Sequence, residues 1–230
     1  MCGRYNLAVN LEQLQLQFGT GLPANALPRY NVAPSQACPV IRVDAGQRIW
    51  AVLRWGLIPH WAKSTAVGFS NINARAESLA TKPTFRQAYQ RRRCLVPATG
   101  FYEWRTLAES RQKQPYNVRL KNRAVFTLAG IWERWRDIAS FAIVTTAANE
   151  LLCAIHERMP VIIEPAAHDV WLSGPVTEAD ALLRPHPSEA MEAYPVGTLV
   201  NKADNESPAC LVAIREDARK QLRLFGVDPF

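Results

Sequence analysis

The sequence predicts an α+β fold: a single domain over 1–230 in which an irregular, largely antiparallel, barrel-like sheet is decorated by helices. Three observations lead there. β-rich runs recur through the middle of the chain, helical patterns flank them instead of alternating with them, and the turns between are polar or carry Gly and Pro. The 230 residues are 48% hydrophobic and 20% charged, the make-up of a packed domain, with no repeat or low-complexity tract.

Taken in order, Asn10-Leu11-Glu12-Gln13 has the capping-box pattern, and Gly19 and Gly21 follow Phe18, so a first helix is expected over 10–18. Runs 38–43 and 48–55, joined by a turn with Asp44 and Gly46, predict a hairpin. Segment 84–93 has Thr84 at the cap position and Phe85, Ala88 and Tyr89 apolar, which predicts an amphipathic helix with a basic C-terminal end. The run Arg91-Arg92-Arg93 reads first as a solvated helix face and second as a DNA contact. Strands are expected at 94–97, 100–105, 115–120, 123–129 and 140–146. A helix from 147 to 156 must stop before Pro160, because the residue preceding proline avoids the α region. Helical patterns return at 165–172, 176–183 and 214–224, and 209–214 reads as a late strand.

Lys and Arg outnumber Asp and Glu by 27 to 20, for a net charge of +7 and a pI near 9.4, a balance that favours a polyanionic partner. The five cysteines, at 2, 38, 94, 153 and 210, form no Cys-x-x-Cys pair. The four histidines, at 60, 156, 168 and 186, form no metal-like couplet. This spacing argues for a reducing compartment and against a structural metal, and neither metal nor cofactor is expected. No apolar run approaches the roughly 20 residues that span a bilayer, and the N-terminus lacks a signal-peptide pattern, so a soluble, cytoplasmic protein without membrane association is expected.

The amino terminus reads Met1-Cys2-Gly3-Arg4-Tyr5. A small second residue permits removal of the initiator methionine, which leaves an α-amine and a thiol on adjacent carbons. With pKa values of about 7.7–8.0 and 8.5, both groups are usable near neutral pH. Such a 1,2-aminothiol captures aldehydes: the amine gives a Schiff base, and thiol addition closes a thiazolidine. By position alone, the commoner meaning of a cysteine here is a small residue near a frayed end.

Further blocks bear on that choice: Tyr30-Asn31-Val32-Ala33-Pro34, Trp55-Gly56-Leu57-Ile58-Pro59, Asn71-Ile72-Asn73-Ala74-Arg75-Ala76-Glu77, Gly100-Phe101-Tyr102-Glu103-Trp104 and His156-Glu157-Arg158-Met159-Pro160. On a strand over 100–105, alternation puts Phe101 and Glu103 on one face and Tyr102 and Trp104 on the other. Desolvation there raises a carboxyl pKa toward the range useful for proton transfer, whereas a pairing with Arg105 lowers it. His156 carries a group that donates and accepts protons near neutral pH, though a lone histidine is commonly structural. Asn73 offers an uncharged donor and acceptor, or a local backbone cap. Arg75 offers a bidentate fork for phosphate, or a surface ion pair.

Together, in this order and from residue 1 to about residue 200, these blocks resemble the SRAP family of abasic-site processing proteins, once called SOS-response-associated peptidases. The resemblance implies a covalent sensor of abasic sites in single-stranded DNA. It gives Cys2 the amine and thiol, His156 the acid/base work in sugar opening and imine formation, and Glu103 the orientation or deprotonation of the amine and the reversal. Asn73 would position the sugar. The Schiff-base stage also opens a lyase side reaction. For DNA, phosphate contacts are expected from Arg4, Arg75 and Arg158, with Lys82 and Arg86 as weaker choices. Trp61 and Trp104 are the candidate base stackers, although a strand Trp such as Trp104 more often packs in a core. The chain ends at Phe230 without a long polar tail, resembling the compact bacterial form, and a monomer is expected. Two other readings stay open: a Cys2/His156 thiol peptidase, at its narrowest one limited to self-removal of Met1, and a noncovalent single-stranded DNA-binding module.

Overall fold

The computed structural model describes residues 2–19, 21, 28–107 and 113–214. Its strands form two sheets. The first is antiparallel throughout and joins β1 (Arg4–Leu7), β2 (Arg29–Val32), β7 (Gly100–Thr106), β8 (Lys113–Leu120) and β13 (Met191–Pro195) in the order β13-β8-β7-β1-β2. The second contains β3 (Ala37–Asp44), β4 (Gln47–Trp55), β6 (Arg93–Ala98), β9 (Phe126–Trp135) and β10 (Ile138–Ala147). These close on themselves through the pairs β10–β4, β4–β3, β3–β6, β6–β9 and β9–β10. The result is a barrel.

Three short strands extend that barrel at its rim. β5 (Asn73–Arg75) runs parallel to the C-terminal half of β10, β11 (Arg158–Pro160) runs antiparallel to the same half, and β12 (Ile162–Ile163) pairs with β9. The fold is therefore α+β, as expected, with parallel pairings confined to β10 and its neighbours β4 and β5 among the described residues.

Local chemistry explains these elements. The hairpin β3–β4 turns at Ala45 and Gly46, both left-handed at φ 47° and 80°, which matches the twist of the flanking strands. Helix α1 (Leu11–Phe18) begins with a full capping box: Asn10 accepts from the Gln13 amide at 2.9 Å and Gln13 returns the bond at 3.3 Å. One core lies between the two sheets and holds Cys2, Tyr5, Trp55, Phe101, Phe141, Leu152 and Met159. A second lies under α2 (Pro83–Arg91) and α4 (His168–Ser173), with Phe85, Tyr89, Leu95 and Trp171.

Several expectations change. Helix α2 starts at Pro83, whose fixed φ suits the first helical position, so Thr84 is not its cap. It ends at Arg91, and the arginine run is split. Arg91 is exposed, Arg92 pairs with Glu133 at 2.6 Å, and Arg93 is buried as the first residue of β6 with its guanidinium on the carbonyls of Trp171, Tyr89 and Gly174. The run is thus neither one solvated face nor one DNA contact. The helix expected over 147–156 shrinks to α3 (Glu150–Cys153), because Ala147 is still paired in β10 and Asn149 caps Leu152 at 3.0 Å. Residues 208–211 form a turn of 3-10 helix instead of a strand, with one isolated bridge from Ala213 to Val196. Of the helix expected over 214–224, all but Ile214 lies outside the described residues.

Candidate functional site

β1 lies against β7 with Arg4 opposite Tyr102 and Tyr5 opposite Phe101, so the chain running back from Arg4 to Cys2 heads along Glu103 and Trp104. Cys2 is fully buried, and Ile72 and Ile155, the neighbours of Asn73 and His156, pack against the same core. Asn73 donates from Nδ2 to the Cys2 carbonyl at 2.8 Å. Its Oδ1 is buried with no hydrogen-bond partner among the described residues.

The Trp55–Pro59 block places that asparagine. Trp55 Nε1 donates to the Ile72 carbonyl at 2.9 Å, and the Leu57 amide and the Asn71 carbonyl pair at 3.1 Å, while Asn71 Nδ2 returns to the Leu57 carbonyl at 3.2 Å. Gly56, at φ 118°, and Gly68 let two backbone segments touch, since a Cβ on either would stand 2.7–2.8 Å from the other's carbonyl oxygen. Sequence reading marked the block without finding this role. The signal available was its glycine directly after a buried tryptophan.

Glu103 is 2% exposed. Burial raises its carboxyl from 4.5 to about 7, against the opposing pull of the positive amino terminus. The Cys2 thiol is pushed well above its ordinary pKa, first by burial and then by the negative charge of Glu103. The Arg105 guanidinium lies over the Tyr116 ring, 5.0 Å from its centroid.

His156 follows α3 and is half-buried, its amide on the Leu152 carbonyl at 2.8 Å. Its Nδ1 accepts from the Arg158 backbone amide at 3.0 Å, so the neutral ring carries its proton on Nε2. Burial, followed by the charge of the amino terminus, lowers its pKa, and the ring is neutral at pH 7. Cys2, Asn73, Glu103 and His156 are thereby gathered around the start of the chain from the segment before β1, from β5, from β7 and from the α3–β11 turn.

The expected DNA contacts divide. Arg4 and Trp104 lie on the opposite face of the first sheet from Glu103. Arg4 donates to the Val200 carbonyl at 2.6 Å, the Asn201 carbonyl at 3.3 Å and Asn31 Oδ1 at 3.1 Å, and Trp104 Nε1 donates to Asn201 Oδ1 at 2.8 Å. Both tether the 198–201 turn. Arg158 forks onto Glu77 at 2.6 and 3.0 Å. Arg75, Lys82 and Arg86 are exposed, Lys82 lying over the Phe85 ring at 5.0 Å. Trp61 is 56% exposed, and Phe69, which sequence reading did not single out, is 63% exposed with Arg54 over its ring. Among the described residues no cluster of three or more His, Cys, Asp or Glu side chains could hold a metal, and no helix is long and apolar enough to cross a membrane.

The chain is similar to known proteins over most of its length. The family model for SOS response associated peptidase (SRAP) matches residues 1–203. The abasic site processing protein YoqW of Bacillus subtilis is 41% identical over 219 residues, 90% of this chain and 97% of that protein. The abasic site processing protein HMCES of Pongo abelii is 30% identical over 248 residues, 89% of this chain and 70% of that protein. A crystal structure of a protein from Bacteroides thetaiotaomicron superposes with a TM-score of 0.84 at 28% identity, covering 93% of this chain and 100% of that one. The chain belongs to the SRAP family.

Proposed function

We propose that this protein processes abasic sites in single-stranded DNA by capturing the ring-opened sugar aldehyde on the amine and thiol of a mature N-terminal Cys2. The observation that carries the reading is Glu103, a buried carboxyl with a pKa of about 7 whose charge acts on the Cys2 thiol. At neutral pH it is divided between a form that takes the amine's proton and a form that returns one. The relatives named abasic site processing proteins point to the same substrate.

The steps balance on these residues. His156 Nε2–H hydrogen-bonds the sugar ring oxygen as the hemiacetal opens, and the proton of the C1′ hydroxyl passes to that oxygen, so the imidazole stays neutral. The neutral Cys2 amine attacks the aldehyde carbon, and the oxygen leaves as water to give the imine. The thiol, held protonated by burial and by Glu103, then adds across the C=N bond, its sulfur to carbon and its proton by way of Glu103 to nitrogen. Asn73 fixes the Cys2 carbonyl, so the amine and thiol cannot rotate away. At the imine stage, β-elimination of the 3′ phosphate competes, and ring closure suppresses that lyase outcome. A thiol peptidase needs a thiolate at neutral pH, and burial and Glu103 both oppose one.

All four side chains come from one chain, so a monomer suffices. A single strand is the form of DNA that suits this site, since an abasic sugar must be splayed out to reach a buried Cys2, and exposed Arg75, two residues from Asn73, is available to its phosphates. Methionine-processed protein mixed with a single-stranded oligonucleotide bearing one abasic site should give a band that survives a denaturing gel. Cys2→Ala and a Met1-retaining form should not. An equal band with an intact-base oligonucleotide, or with Cys2→Ala, would overturn the reading.

A further inference from the structure

Near Thr145, β10 has β5 on one edge, with Thr145 opposite Arg75, and β11 on the other, with Ala147 opposite Arg158. Asn73 lies on the first of these strands, and His156 stands two residues before the second. Arg158 reaches back across β10. Its Nη2 donates to the Thr145 carbonyl at 2.6 Å, and its two terminal nitrogens grip the Glu77 carboxylate at 2.6 and 3.0 Å. The backbone amide of the same residue donates to His156 Nδ1 at 3.0 Å.

We propose that Glu77 is a positioning residue for the abasic-site chemistry: by clasping Arg158 across β10 it fixes the distance between the strand of Asn73 and the turn of His156, and it keeps the proton-bearing Nε2 of that imidazole toward the site. This rests on the function proposed above. A two-pronged carboxylate–guanidinium contact sets orientation as well as distance, which a single ammonium contact would not. The Arg158 side chain is 12% exposed and that of Glu77 57%, so the clasp is anchored at its arginine end and closed from the solvent side. The hydrogen bond from Arg158 holds the Glu77 carboxyl below the usual carboxylate range, so the clasp is closed throughout neutral pH.

Glu77→Gln and Glu77→Asp test this, read by NMR titration of the His156 ring in the DNA-free protein and by single-turnover crosslinking at saturating abasic-site DNA. Because the Glu77 side chain is largely in solvent, both variants should fold, which circular dichroism checks. Glu77→Gln should crosslink about tenfold more slowly, the scale expected when a reacting group is misplaced by a fraction of an ångström, and Glu77→Asp should recover part of the rate. In Glu77→Gln the His156 ring should titrate at a higher pH than in wild type, because a loosened Arg158 amide frees Nδ1 to take a proton. Loss of the Glu77 charge by itself would move the titration downward, and the other charges that act on this ring, the amino terminus, Glu157 and Lys113 of β8, are unchanged. A wild-type rate or a faster one in Glu77→Gln, as expected if the carboxylate merely competes with DNA for Arg158, would overturn the proposal, and so would an unmoved or lowered titration. If wild type itself fails to crosslink, the proposed function falls, while the titration still decides the clasp.

Discussion

At the scale of the residue, one carboxyl couples chemistry to stability. Glu103 binds its proton more tightly in the fold, near pH 7, than its ordinary value of 4.5. Its contribution to stability is therefore complete below about pH 4.5 and is lost as pH rises through 7. Glu103→Gln should accordingly be more stable than wild type at pH 8, by roughly 1–3 kcal/mol at about 1.4 kcal/mol per pKa unit. The gap should close below pH 4.5, as denaturant midpoints at both pH values would show, and crosslinking should slow. The alternation of a strand over 100–105 was enough to separate Glu103 from Tyr102 and Trp104 in the sequence. The tether of Trp104 to Asn201 was not legible, because it joins positions 97 apart in the chain and depends on where the 198–201 turn lands.

Among the elements, those with strong local signals form where the sequence puts them: the capping box of α1 and the left-handed turn between β3 and β4 both act within a few residues. The stretch 147–156 shows the limit. Its helical pattern yields to long-range pairing of Ala147 with Arg158, which local periodicity cannot register. Arg93 is the same lesson in charge, since a run of three arginines reads as surface until tertiary carbonyls are present to receive it. Arg93→Met should cost roughly 2–4 kcal/mol in urea unfolding, because three carbonyls lose a charged donor. Gly68→Ala should cost roughly 1–3 kcal/mol, since its new Cβ meets backbone at Gly56, which cannot swing aside as a side chain would. That variant should also slow crosslinking, because the same contact supports the Leu57–Asn71 pairing that leads into Asn73.

For the whole molecule, the excess of positive charge is +7, yet its arginines do different work. In salt titrations of single-stranded DNA binding, Arg75→Ala should reduce the slope of log K against log salt by about 0.7, the value for one lost phosphate contact. Arg4→Ala should leave the slope unchanged and lower the melting temperature, since its partners are the carbonyls of Val200 and Asn201. Charge counting in the sequence could not separate these two arginines; burial and direction do. The cysteines divide in a similar way: Cys2, Cys38, Cys94 and Cys210 are buried, and Cys153 is exposed at the end of α3, three residues before His156. A maleimide dye added to the folded, methionine-bearing chain should therefore attach at Cys153 alone, which gives a fluorescent reporter beside the site without any engineered residue, and a second equivalent taken up after methionine removal would time the moment at which Cys2 becomes reachable.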